Sequence, residues 1–173
     1  MPLTLYKETG AGLSYANCYA HRDDAVIYHR AHLYASAWDL AIDADKEKAL
    51  VMATRLIDAQ WLFGGVRTHA EQALQWPRQG CPDRDAETGL VEEDVLPQNL
   101  TDATCEMARE LLVVDRTTAP PGEGLKYANV GSTQTGYSKT DVRPILTHVT
   151  QALLKRFGVS IETKSGTVNL VRT

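Results

Sequence analysis

Leu50, Ala53, Ile57 and Trp61 recur at spacings of three and four, and Ala49 and Leu56 widen the stripe. Only an α-helix gathers residues so spaced onto one face, and such a face must be covered by another part of the fold. Asp43 is the expected N-cap and Asp45 falls in the first turn, where the helix dipole favours an anion. The helix is therefore expected over Lys46–Trp61, ended by Gly64-Gly65. A second stripe, Leu100, Ala103, Met107, Leu111 and Val114, follows Pro97, which suits a first helical position. A third, Ile145, Leu146, Val149, Leu153, Leu154 and Phe157, opens near Asp141 or Arg143 with Pro144 in its first turn and stops at Gly158. A fourth helix starts after Ser14 or Asn17 and runs through Ala25–Leu33, with Tyr15, Tyr19, Val26 and Leu33 on its apolar side at imperfect spacing. The expected fold class is mainly α, a small helical bundle of about four helices with a long ordered loop and a β-leaning C-terminal extension.

The stretches between the stripes set the expected organisation. Met1 to Leu13 is polar, carries Gly10 and Gly12, and reads as an arm or loop. Residues 62–96 hold Pro77, Gly80, Pro82 and Gly89 but little periodicity. A connection that long inside a compact domain is usually functional or packed by its own side chains. Pro120-Pro121-Gly122 marks a break. A helical domain over 1–119 is expected to be followed, over 120–173, by an extended segment, the C-terminal helix (about 143–157) and a strand-like tail. "LKYANVGSTQTGYS" reads as a weak strand pair or an extended loop. "VSIETKSGTVNLVRT" alternates apolar and polar residues around Ser165-Gly166 with no evident strand to join in its own chain, which suggests pairing on a neighbouring subunit.

A chain of 173 residues can bury roughly two-thirds of its unfolded surface, so its core needs neither disulfide nor metal. A formal charge of −4 argues against a protein whose main task is gripping phosphates, because such proteins carry a basic excess. Cys18, Cys81 and Cys105 show no CxxC spacing and read as reduced thiols in a cytosolic setting. No stretch resembles a signal peptide or approaches the length of a membrane span.

Searching for chemistry returns little. His29 and His32 are three apart, on one helical face, but no third ligand is placed to complete a zinc set, so they read as ordinary surface or capping histidines. "DRDAETGLVEED" spaces carboxylates as calcium loops do. Its glycine, Gly89, comes one place late and its twelfth position is Asp94, so a solvated acidic loop is the reading. No cysteine has a basic partner nearby in sequence, and Cys105 reads as a small buried hydrophobe. There is no GxSxG and no GxxxxGK[ST]. No catalytic residue, cofactor or metal is expected, and the chain is not read as an enzyme. Trp38, Trp61, Trp76 and Tyr127 could stack bases, with Arg67, Arg78 and Arg84 in the long loop. Asp83, Asp85, Glu87, Glu92, Glu93 and Asp94 share that loop and cancel its charge, and Trp76 folding inward is the simpler reading.

The order of these words adds a resemblance. "SYANCYAHR", "DADKEKALVMATRLIDAQWLFGGVRT", "QALQWPRQG", "LPQNLTDATCEMARELL" and "KYANVGS" follow one another over roughly Ser14 to Phe157. In that order they resemble a family of tailed-phage and prophage proteins often labelled DnaT-like single-stranded-DNA-binding proteins, which is similar in turn to phage head–tail connector, or head-completion, adaptors. The resemblance implies a structural virion protein of the bacteriophage neck, assembled in the host cytoplasm. It implies a homo-oligomeric ring, a dodecamer matching the portal protein above it, joined to a tail or stopper/nozzle protein below. Double-stranded DNA would pass through its lumen without sequence recognition, with no membrane involved. By the same resemblance Trp76 anchors the long loop, Pro77 is a rigid bend and Arg78 a candidate ion-pair partner. Val159, Ile161, Val168, Leu170 and Val171 form the tail that reaches a portal or a neighbour. A mildly acidic subunit suits a conduit that must not hold its cargo. The alternative takes the family's label literally, a single-stranded-DNA-binding replication accessory protein. A metal-dependent hydrolase is a third reading.

Overall fold

A computed structural model describes residues 3–119, 127–130, 133–136 and 143–161. Five helices lie among them: α1 (Arg22–Arg30), α2 (Ser36–Leu40), α3 (Asp43–Gln60), α4 (Gln98–Leu111) and α5 (His148–Leu154). They are joined by three two-stranded antiparallel ribbons: β1 (Trp61–Phe63) with β6 (Gly158–Ser160), β2 (Val66–Arg67) with β3 (Arg78–Gln79), and β4 (Tyr127–Val130) with β5 (Thr133–Gly136). The architecture is thus mixed helix and strand rather than a plain helical bundle.

At the centre is α4. It touches α1, α2, α3 and α5. Its middle, from Ala103 to Ala108, is buried on every side, so polar Thr104 and Glu106 lie inside along with the apolar stripe. The long helix α3 lies against it through Leu50, Ala53 and Ile57, as their spacing requires. Both helices fall close to where periodicity places them.

The departures have local causes. α1 starts at Arg22, not after Ser14 or Asn17: Asp24 Oδ2 accepts the His21 amide at 2.7 Å in a capping box that fixes its entry. Trp61 closes the apolar stripe of α3 but belongs to β1, because the Trp-Leu-Phe run buries alternate residues as a strand does. Gly65 makes the β1–β2 turn at φ 68°, and a β-carbon there would lie 2.2 Å from the Gln79 carbonyl oxygen. The C-terminal helix is shorter than 143–157. It begins after Thr147, whose hydroxyl accepts the Thr150 amide at 3.1 Å, while Arg143 and Pro144 lie outside it. Of the strand pair and the extended loop that the sequence leaves open at 125–138, the structure shows the strand pair, β4 with β5. The start of the tail, however, pairs within its own chain, with Trp61 opposite Ser160, Leu62 opposite Val159 and Phe63 opposite Gly158.

The N-terminal segment is built into the body. Buried Glu8 accepts four backbone amides at 2.9–3.0 Å, from Thr9, Gly10 and Gly12 on Oε1 and from Leu13 on Oε2. Gly10, at φ 101°, packs so closely on the Asp94 carbonyl that no other residue fits.

Candidate functional site

Trp76 lies fully buried where the long loop turns back on the body. Its ring meets Phe63 and Phe157 edge-on, with centroids 5.7 and 5.6 Å away. The Trp76–Pro77 peptide is cis. Beneath it, Tyr19 donates its hydroxyl to Asp58 Oδ1 at 2.5 Å, and the same oxygen of Tyr19 accepts the amides of Gln75 (3.1 Å) and Trp76 (3.3 Å). Asp58 Oδ2 accepts the Gln75 amide at 3.1 Å. Burial pushes the Asp58 carboxyl up to about 6, against the hydrogen bonds that lower it, and pushes the Tyr19 phenol well above its usual range.

Arg78 is not an ion-pair partner. Its guanidinium donates to the carbonyls of Gly64 (2.7 Å), Gly65 (2.7 Å) and Gln75 (3.1 Å) and to the Gln75 side chain (3.1 Å). Five N–H donors on a rigid fork suit a turn full of carbonyls better than a single carboxylate would. Buried Gln72 completes the corner, donating to Leu74 O and Pro77 O while its backbone carbonyl accepts from Arg67. The Trp-Pro-Arg segment is a closed plug whose polar groups are spent on the loop itself, except the buried Trp76 Nε1, which has no hydrogen-bond partner.

Another polar cluster lies under α1 and α2. His29 is buried, not on the surface: its ring stands 4.9 Å from Trp38 and its Nε2 is 3.2 Å from the Cys105 carbonyl oxygen. Burial lowers its pKa to about 4. Glu106, also buried, pairs through Oε1 with Arg109 and holds Oε2 3.6 Å from His32 Nε2. His29 Nδ1, Trp38 Nε1, Glu106 Oε2 and Arg109 Nε have no hydrogen-bond partner. Over this cluster the turn at 32–34 is pinned: His32 Nδ1 accepts the Tyr34 amide at 3.1 Å and Arg109 reaches the Tyr34 carbonyl at 3.5 Å.

The remaining candidates resolve simply. All three cysteines are buried and free. Burial raises their pKa values, to about 12 for Cys18 and about 11 for Cys81, so none is a ready thiolate. Among the described residues no three His, Cys, Asp or Glu side chains gather as a metal-holding group, and no helix is long and apolar enough to cross a membrane. The acidic loop is ion-paired rather than merely solvated, since Arg156 contacts both Asp83 and Asp85. Trp38, Trp61 and Trp76, offered for base stacking, are all core residues. Arg84 is exposed, and Arg67 is exposed but tied to Gln72. The side chain of Tyr127, and Val168, Leu170 and Val171, lie outside the described residues, whereas Val159 and Ile161 are exposed.

Sequence reasoning passes over Tyr19, Asp58, His29 and Glu106 as interior polar groups. Asp58 carries a signal: it stands four residues after Thr54 and eight after Leu50, inside the stripe that α3 buries. Glu106, between Ala103 and Met107, carries the same one.

Fold and site together define a small mixed helix–strand domain that turns its polar chemistry inward and leaves apolar side chains at its corners. The chain belongs to the family described as "Putative DnaT-like ssDNA binding protein", which matches it over residues 3–173. No curated protein and no solved structure matches it. The family description names single-stranded DNA, in line with the alternative reading of the sequence. It gives no support to a portal, a ring or a tail.

Proposed function

We propose that this chain works as a non-enzymatic assembly subunit, of the kind that forms the neck adaptor of a phage particle in the virion. One observation carries the reading: large apolar side chains are exposed in the segments flanking both ends of α3. Leu33, Tyr34, Leu40 and Ile42 lie at the N-terminal end of α3, and Leu62, Val159 and Ile161 at its C-terminal end. Soluble monomers seldom expose apolar groups in patches, and patches mark contact surfaces. Two unlike faces on one subunit are what a closed ring requires. Light scattering on the purified protein, with particle imaging in the presence of a portal, tests this. Defined rings support the reading; a monomer that never joins a portal overturns it.

The family description favours another reading, binding of single-stranded DNA. With the three tryptophans buried, stacking would fall to exposed aromatics. Tyr6 and Tyr15 are exposed and in edge-on contact, ring centroids 5.3 Å apart, beside Lys7. Fluorescence anisotropy with an oligothymidine, repeated across a salt series, tests it. Affinity that falls steeply with salt and is lost in Tyr6→Ala/Tyr15→Ala supports this reading. A lack of binding at low salt overturns it.

A further inference from the structure

Just beyond α1, two structural demands meet on the ring of His32. Its Nδ1 receives the Tyr34 amide at 3.1 Å. A backbone amide can only donate, so Nδ1 carries no proton and the neutral ring holds its hydrogen on Nε2. That Nε2 lies 3.6 Å from Glu106 Oε2, beyond hydrogen-bond reach, and Oε2 is a buried acceptor with no hydrogen-bond partner. The neutral form of His32 thus serves the Tyr34 amide and leaves the carboxylate oxygen bare.

A proton on His32 reverses the arrangement, because both ring nitrogens then donate. Nδ1–H faces the Tyr34 N–H, donor against donor, and the contact at 3.1 Å becomes repulsive. On the other side of the ring, a charged Nε2–H meets Glu106 Oε2 as a charge-assisted pair and draws the imidazole toward α4. Tyr34 is exposed, so water replaces the acceptor that its amide loses. Each protonation state leaves a different polar group without its protein partner, and a small movement of one ring separates them.

The other charged and titratable groups around the ring are already committed. From α4, Arg109 is bound to Glu106 Oε1 and reaches the Tyr34 carbonyl, and Asp102 accepts from Gln98. From α1, Asp24 is paired with Lys7. The His29 ring, 6.2 Å from that of His32, has its pKa lowered by burial to about 4. Tyr28, which lines the same cleft as His32, has its phenol pushed up to about 12 by burial. Imidazole is the side chain that changes charge between about pH 5 and 8, and burial moves His29 and Tyr28 out of that range.

We propose that His32 is a proton switch for the turn at 32–34: its neutral ring ties down the Tyr34 amide, and its charged ring releases the amide and closes on Glu106. The segment set free carries Leu33 and Tyr34, which are 85% and 74% exposed. Acid therefore loosens an apolar turn that is held in place at higher pH. The inference stands apart from both the assembly and the DNA-binding readings.

Solution NMR on the full chain, labelled with nitrogen-15 and titrated with acid, tests the switch. The neutral ring is expected to show a bare Nδ1 and a protonated Nε2, with a scalar coupling across the hydrogen bond from the Tyr34 amide to Nδ1. That coupling should be lost as the ring is charged, and the Tyr34 amide resonance should shift with the same midpoint as the His32 ring. His32→Asn puts Oδ1 where Nδ1 stands, an acceptor that does not titrate, so its Tyr34 amide should stay bonded and show no such transition. A neutral ring with its proton on Nδ1 would overturn the proposal. So would a Tyr34 amide indifferent to the His32 titration, or a His32→Asn chain that keeps the wild-type transition.

Discussion

The Trp-Pro-Arg corner and the corner beneath α1 and α2 differ in how many of their buried polar groups find partners. Around Trp76, the side chains of Tyr19, Asp58, Gln72 and Arg78 hydrogen-bond within the loop and close it, and the indole Nε1 of Trp76 is the buried donor left over. Beneath α1 and α2, four buried polar atoms have no hydrogen-bond partner, and the nearby Leu33, Tyr34 and Leu40 side chains are exposed. In sequence the Trp-Pro-Arg stretch resembles a site, because tryptophan, proline, arginine and cysteine crowd together there. The residues of the other corner are unremarkable in type and spacing. The lesson is that rare residues mark where a loop must be pinned, whereas contact surfaces are made from common residues placed without cover.

Substitutions can break this contrast. The largest effect is expected from Trp76→Ala, which removes a ring packed on Phe63 and Phe157 and should cost about 3–5 kcal/mol in urea denaturation. A cost near zero would mean that the corner is not a plug.

Titration sharpens the contrast, since the two corners pull in opposite directions. The folded-state pKa of Asp58 is raised, so the native protein binds the extra proton and stability falls as pH rises from about 4 to about 6. The folded-state pKa of His29 is lowered, so the unfolded chain binds the extra proton and stability rises between about 4 and 6.5. Each shift corresponds to at most about 3 kcal/mol, and in the wild type the two offset one another. Relative to wild type, Asp58→Asn should therefore steepen the gain in stability from pH 4 to 6.5, and His29→Gln should reverse it. Denaturation midpoints at several pH values give the answer.

Tyr19→Phe should cost about 1–3 kcal/mol, because the amides of Gln75 and Trp76 lose an acceptor and Asp58 a donor. The smallest effect belongs to the other corner. Leu40→Ser, at a fully hydrated position, should change unfolding stability by no more than about 0.5 kcal/mol while it lowers association.

Much of the fold is legible in the chain. Periodicity places α3 and α4 to within about three residues at their ends, with Ile42 in place of Asp43 as the N-cap of α3, because each presents a continuous stripe to the same core. At 125–138 the sequence leaves a strand pair or an extended loop open, and β4–β5 is the former. What is lost is non-local. The partner of β6 is β1, nearly a hundred residues earlier, and nothing in "GVS" alone names "WLF". Trp61 fits the helical stripe equally well, and only its strand pairing settles its state. For Trp76 the inward reading matches its burial. A carboxylate is the partner that charge alone suggests for Arg78, yet the turn it stitches offers carbonyls that no sequence pattern displays. The interior placement of His29 and Glu106 depends on α1 and α2 folding over α4, which spacing along one helix cannot reveal.

The cradle around Glu8 carries a consequence for handling the protein. Its carboxylate reaches four amides because the side chain has the right length; one methylene less would draw both oxygens back from donors that leave no slack at about 3 Å. Glu8→Asp, conservative on paper, should behave much as Glu8→Ala does. By the same logic, trimming the chain through Leu13 would pull a keystone from the wall formed with Asp94 and Val95.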